Sequence, residues 1–261
     1  MIMKRTLRKR QTAFTFIEMC VVIVVLALFV AMLLAAMTRP RGLKASPRSS
    51  CLNNLKVIGT AYRIWAGDNG GLVSSQASVT NGGWKELLSK ADQGAMCWTN
   101  YALMENDLGR WPKLVLCPSD DRNTVAGAFA PPYPAHTAAF GNTTCSYFVG
   151  VGANDVYPQS IAGGDRNLGP GAKPDPDYGY SPKNGKGNDV AIPISGPVSW
   201  SLKVHSAGYT LGAGNILLGD GSGQQVSTAT LNKNWLCNAR DSGNWPAGHV
   251  PASPSIRLVF P

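Results

Sequence analysis

The chain reads as an α+β protein: a long N-terminal transmembrane helix that continues into an ectodomain with a small antiparallel sheet and long loops. Three observations predict this. Residues 19–37, MCVVIVVLALFVAMLLAAM, carry no charge and extend about 28 Å as a helix, near the thickness of a hydrocarbon core. Glycine (29 residues) and proline (18) gather beyond residue 66, while charged residues make up only 15% of the chain. That composition suits loops and short strands rather than a helical bundle. Finally, Asn215–Leu218 turns at Asp220-Gly221 into Gln224–Ser227, the clearest hairpin pattern present.

The first element is a basic leader, residues 1–13, containing Lys4, Arg5, Arg8, Lys9 and Arg10; no acid precedes Glu18. Five of the 24 basic residues thus lie ahead of the apolar run, leaving 19 against 15 acidic ones. Most of the +9 formal charge is therefore a topology signal, and no nucleic-acid partner is predicted. The positive-inside rule keeps the leader cytoplasmic and sends the rest of the chain across. Arg39, Arg41, Lys44 and Arg48 also make the exit side basic, but the leader cluster is denser and is synthesised first.

The second element is the transmembrane helix, residues 14–38, which satisfies its own backbone groups as lipid requires. A secretory signal peptide is the competing reading, with a cut near Ala35-Ala36, yet its apolar core would be shorter. Glu18 opens the run, and a carboxylate entering a membrane needs a partner. No such partner is evident on the same helix face. The helix continues over 39–66, bent or interrupted by Pro40 and Pro47. There Cys51, Leu55, Ile58, Tyr62 and Trp65 make one apolar stripe. Ser49 or Ser50 caps its start, and Gly67-Asp68-Asn69-Gly70-Gly71 ends it.

The globular part is residues 67–261. A short helix is expected at Trp84–Leu88, and strands at 114–117 and 146–151. The Gly-, Pro- and Asp-rich stretch 167–196 reads as one long surface loop. Outside the cytoplasm, up to two disulfides among Cys51, Cys97, Cys117, Cys145 and Cys237 are expected, with one thiol left over. No cysteine pair has zinc-ligand spacing.

The histidines are His136, His205 and His249, with no HxxxH or HExxH spacing. His205 with Asp220 and Ser201 or Ser222 has the residue types of a hydrolytic triad. No Gly-x-Ser-x-Gly elbow accompanies them, and a tight Asp220-Gly221 turn explains the pattern more simply. The glycines from Gly212 to Gly223 lack both a following helix and a Gly-Lys-Ser/Thr, so they do not read as a phosphate loop. Asp120, Asp121, Asp155, Asp165, Asp175 and Asp177 are expected as solvated loop acids without EF-hand spacing. Trp84, Trp98, Trp111, Trp200, Trp235 and Trp245 are expected as core or interface anchors, a glycan-binding surface being the alternative.

Ala13-Phe14-Thr15-Phe16-Ile17-Glu18, between a basic leader and an apolar helix, resembles the processing motif of type IV prepilins and type II secretion pseudopilins. The resemblance implies a pilin-like fold and cleavage between Ala13 and Phe14 by a prepilin peptidase, with N-methylation at Phe14. It also implies assembly with other pilin-like subunits through inner-membrane machinery, Glu18 pairing with the Phe14 amino group of a neighbour. The family usually has Gly at the position of Ala13 and Leu at that of Phe16. Further patches resemble the bacterial group of this kind with a C-terminal His…Asp-Gly element: residues 50–71, Leu116-Cys117-Pro118-Ser119-Asp120, Cys145-Ser146-Tyr147, Gly164-Asp165-Arg166-Asn167-Leu168 and Gly214–Ser222. In that group nine residues separate the His from the Asp-Gly; here fourteen separate His205 from Asp220-Gly221, and Tyr209–Ala213 reads as an insertion. Similarity is close over 13–70 and roughly 205–231, and sparse between. By analogy with major pseudopilins, Asp175-Pro176-Asp177 is a candidate structural calcium loop; no other cofactor is expected. The expected role is a filament subunit in the bacterial cytoplasmic membrane and not an enzyme. The rivals are a signal-anchored protein that binds a ligand such as a glycan, and an anchored hydrolase.

Overall fold

Thr15, with a hydroxyl that can accept a backbone hydrogen bond, and Glu18 three residues on set the start of helix α1 (Phe16–Met37). The Thr15 hydroxyl accepts from the Glu18 N–H at 3.3 Å, and Glu18 Oε2 accepts from the Thr15 N–H at 2.8 Å. This is a reciprocal capping box. Side chains from Phe16 to Leu34 are exposed, a span of 19 residues long and apolar enough to cross a membrane. Such a helix near the N-terminus serves as an anchor or as a signal sequence. The computed structural model describes residues 15–37, 46–88, 96–122, 124–129, 140–207, 210–239 and 253–261. The chain divides into two units, Met1–Lys44 and Ala45–Pro261.

Helix α2 (Pro47–Asp68) opens the second unit. Pro47 does not interrupt it: proline occupies the first turn, where its missing N–H is not needed. Ser46, rather than Ser49 or Ser50, is the cap, its side chain accepting from the Ser49 N–H. Cys51, Leu55, Ile58, Ala61 and Trp65 are buried, and Tyr62 packs partly buried against them. Asn69 ends the helix, followed by Gly70 and Gly71 at φ 67° and 82°, which glycine tolerates. Residues 39–45 of the expected continuation lie outside the described residues.

A small antiparallel sheet carries this unit. Its strands are β1 (Tyr147–Gly150), β2 (Ile161–Asp165), β3 (Leu168–Pro170), β4 (Asn188–Pro193), β5 (Val198–Trp200), β6 (Ala213–Leu218), β7 (Gly223–Ser227) and β8 (Ser255–Phe260). Six of them order as β4-β8-β1-β2-β6-β7, while β3 and β5 pair separately. The inner strands β1, β2 and β6 of the larger sheet are buried on both faces. Tyr147, Val149 and Leu217 join one apolar cluster with α2, whereas Phe148, Ile216 and Leu218 join a second with Trp200 and Phe260, as alternating strand side chains must. Helix α3 (Cys97–Leu103) packs on the α2 side through Trp98, Tyr101 and Ala102.

Several expectations fail here. The strand expected at 114–117 is a 3₁₀ turn, Pro112–Val115, because Pro112 fixes a turning φ at its first position. The helix expected at Trp84–Leu88 is a single 3₁₀ turn, Lys85–Leu87. The long loop 167–196 contains β3 and β4; β4 is a sheet edge, where polar residues are tolerated and apolar alternation is not required.

Candidate functional site

Four chemically active side chains converge beneath the start of α2. That helix supplies Cys51. The turn after Pro112–Val115 supplies Cys117, the end of β2 supplies Asp165, and the loop after β5 supplies His205. One ligand atom from each lies within 4.8 Å of all the others. None of the four exceeds 6% exposure, so bulk water is excluded.

Cys51 and Cys117 form a disulfide with Cα atoms 5.3 Å apart. His205 Nε2 lies 3.4 Å from Cys117 Sγ and 3.6 Å from Asp165 Oδ2. The second distance is beyond a hydrogen bond. Asp165 Oδ2 accepts from the Asn215 backbone N–H at 2.7 Å and side-chain amide at 2.9 Å, while its Oδ1 is buried without a partner among the described residues. Burial pushes Asp165 up to about 7, against the Asn215 bonds and the Arg48 charge. Burial and the same Arg48 charge push His205 down to about 4, so the ring is neutral near pH 7. A γ-turn orients it: the His205 N–H donates to the Lys203 carbonyl across Val204 at φ 61°. That conformation is strained for a β-branched residue and persists only where surroundings enforce it.

A second buried polar set braces the cluster. Arg166 makes a two-pronged pair with Asp120 at 2.6 and 2.7 Å, a third bond to Asp121 at 3.0 Å, and lies 3.6 Å over the Tyr178 ring. Asn167 donates to the carbonyls of Ser201, Lys203 and Ala213, joining the His205 loop to β6. Arg48 donates to the carbonyls of Gly214 in β6 and Val226 in β7, and Asn215 returns a bond to the Arg48 carbonyl. The short patches around Cys51, Cys117–Asp120, Cys145–Tyr147, Gly164–Leu168 and Gly214–Ser222 therefore meet in one place. Sequence reading singled them out separately; Arg48 and Asn215, which join helix to sheet, were missed as site residues because one reads as an exit-side charge and the other as the start of a hairpin strand.

The other expected residues are distributed elsewhere. Asp220 and Gly221 form the β6–β7 turn: Asp220 Oδ1 accepts from the Ser222 N–H at 2.8 Å, and Gly221 takes φ 82°. The described polar neighbours of His205 are Cys117 and Asp165, and Ser201 Oγ accepts from the Lys203 N–H. The carboxylates of Asp175 and Asp177 are engaged, one with the Asp177 N–H and the other with Lys183. Asp120 and Asp165, expected as solvated loop acids, are instead buried because each is matched to inward-facing donors. Trp84, Trp98 and Trp200 are buried, whereas Trp111 is 58% exposed. Cys97 and Cys145 are buried thiols, and Cys20 and Cys237 are exposed ones. Burial pushes the Cys145 thiol up to about 12, which leaves it unreactive. Ala13, Phe14, His136, Trp245 and His249 lie outside the described residues.

Comparison of the chain with protein-family models, curated proteins and solved structures returns no match.

Proposed function

We propose that the chain is a structural subunit of a type IV pilus-like or type II secretion pseudopilus filament. In this reading a prepilin peptidase cleaves before Phe14, and α1 holds the subunit in the cytoplasmic membrane until assembly. The ectodomain, pilin-like in this reading, lies on the far side of the membrane.

The observation that supports it most is α1 itself. From Phe16 to Leu34 it is apolar and exposed, yet it begins with an ionisable residue. A monomeric anchor has no need of a carboxylate there, since moving it toward lipid is costly. Among the described residues Glu18 bonds to Thr15, which provides both an N–H and a hydroxyl to Oε2. A carboxylate satisfied by neutral donors retains its charge, and a neighbour's free amino group at Phe14 would neutralise it. In a low-dielectric helix bundle that pair would set the axial register between subunits. Contacts of this head-to-tail kind do not close and so generate a filament.

Mass spectrometry of the terminal peptide from the membrane-extracted protein tests the reading. A start at N-methylated Phe14 is expected, with Glu18→Ala inserting normally but failing to enter filaments. A start at Met1, or a cut near Ala36, would refute it.

A further inference from the structure

The cluster of Cys51, Cys117, His205 and Asp165 has the donor set of a closed zinc site, two sulfurs, an imidazole and a carboxylate. In a tetrahedral site with zinc–ligand bonds of about 2.0–2.3 Å, neighbouring donor atoms stand roughly 3.3–3.8 Å apart. Here Cys117 Sγ to His205 Nε2 is 3.4 Å and His205 Nε2 to Asp165 Oδ2 is 3.6 Å. Every other pair is within 4.8 Å. Two of the six edges of the tetrahedron therefore already have the required length; the two sulfurs, now bonded, would have to part, and the remaining three edges would have to settle from within 4.8 Å.

We propose that the dithiol form of the chain binds one Zn²⁺ through Cys51, Cys117, His205 and Asp165, and that disulfide and metal are alternative occupants of one site. Two further features fit. Among the described residues Asp165 Oδ1 is buried without a partner, so the carboxylate has unused acceptor capacity. Two thiolates and a carboxylate around Zn²⁺ leave one net negative charge, and Arg48, electrostatically coupled to Asp165, is placed to offset it.

Zn²⁺ binding displaces the two thiol protons and any proton held by the Asp165 carboxyl. Oxidation by an exchanging disulfide forms the Cys51–Cys117 bond, reduces the incoming S–S bond to two thiolates, and releases Zn²⁺ with its charge unchanged. Because all four ligands are buried, metal entry and disulfide exchange both take place while the site is open, as the chain folds or locally unfolds. A reduced chain thus keeps its α2-to-sheet junction cross-linked before the disulfide forms.

The test uses the full chain in detergent micelles, reduced with a phosphine and refolded with Co²⁺ or Zn²⁺. One metal per chain is expected, with the thiolate-to-cobalt charge-transfer band of a tetrahedral site. Cys51→Ser and Cys117→Ser should each abolish that band. Asp165→Asn and His205→Gln should weaken binding by more than the roughly 10–100-fold that a lost outer-shell partner costs. Cys237→Ser, at an exposed thiol, should leave it unchanged. The proposal is overturned if the band survives in Cys51→Ser, which would assign it to Cys97 and Cys145. It is overturned equally if the reduced wild-type chain remains unfolded with zinc present, or folds without taking up metal.

Discussion

Arg166 holds the buried ion pair beside the disulfide cluster. Its guanidinium is 3% exposed and faces Asp120, itself fully covered, with Asp121 reaching in from a position 65% exposed. Removing one partner of such a pair strands the other charge away from water. Asp120→Asn is therefore expected to cost about 3–5 kcal/mol in a denaturant melt of the protein. Asp120 also gives the acid response a sign. Burial alone would raise its pKa, but the Arg166 hydrogen bonds and charge outweigh burial and hold it below the ordinary value. A depressed carboxyl binds fewer protons folded than unfolded. Its stabilisation is complete above about pH 4 and fades as pH falls through the folded value. Melts below about pH 4 should show this loss in the wild type and a flatter acid limb in Asp120→Asn.

At the scale of elements, α2 against the β6–β7 hairpin is the decisive contact. A Cβ added at Gly59 would stand 2.7 Å from Leu217 Cδ1 and 2.8 Å from the Gly221 carbonyl oxygen, and the second of these is backbone that cannot step aside. Gly59→Ala should destabilise by about 1–3 kcal/mol, whereas Gly67→Ala, with nothing within 4 Å, should be neutral or slightly stabilising. Helices α1 and α2 were legible in the sequence because each has a simple pattern: α1 is apolar all round, and α2 has one apolar face. The short helix α3 was not, since its seven residues are almost all buried and leave no polar face to reveal a period. The β6–β7 hairpin was legible through its Asp-Gly turn. Strand β1 was legible too, within the strand expected at 146–151, although β1 and β6 are buried on both faces and show no alternation. The rest of the sheet was not. In β2, Gly163 and Gly164 hide the strand: a Cβ on Gly164 would lie 2.7 Å from both the Asn215 carbonyl and the Phe148 ring. Strand β8, central in pairing, is separated from its neighbour β1 by about a hundred residues, a distance over which no local pattern speaks.

Across the whole molecule, residues far apart in the chain are gathered around one disulfide. Cys51 and Cys117 were among five candidates that spacing could not rank; their partnership depends on α2 meeting the turn after Pro112, a tertiary fact. His205 and Asp220 stood out together in sequence, yet they separate into a buried cluster and a hairpin turn, because the intervening residues let the chain leave β5 and re-enter at β6. The disulfide spans 66 residues, and replacing both cysteines with serine should cost about 2–4 kcal/mol, read as a lowered denaturation midpoint.

The same cross-link has a mechanical consequence. Stretched between residue 46 and residue 261, the oxidised chain carries tension from α2 directly into Cys117, and the segment between the two cysteines lies outside the load path. Its 66-residue separation is slack that force cannot extend until the sulfurs part, when roughly 220 Å of extra contour length should appear. A single-molecule pulling trace with and without reductant would measure that difference directly. Under load the oxidised chain would thus yield length outside the Cys51–Cys117 segment before any within it.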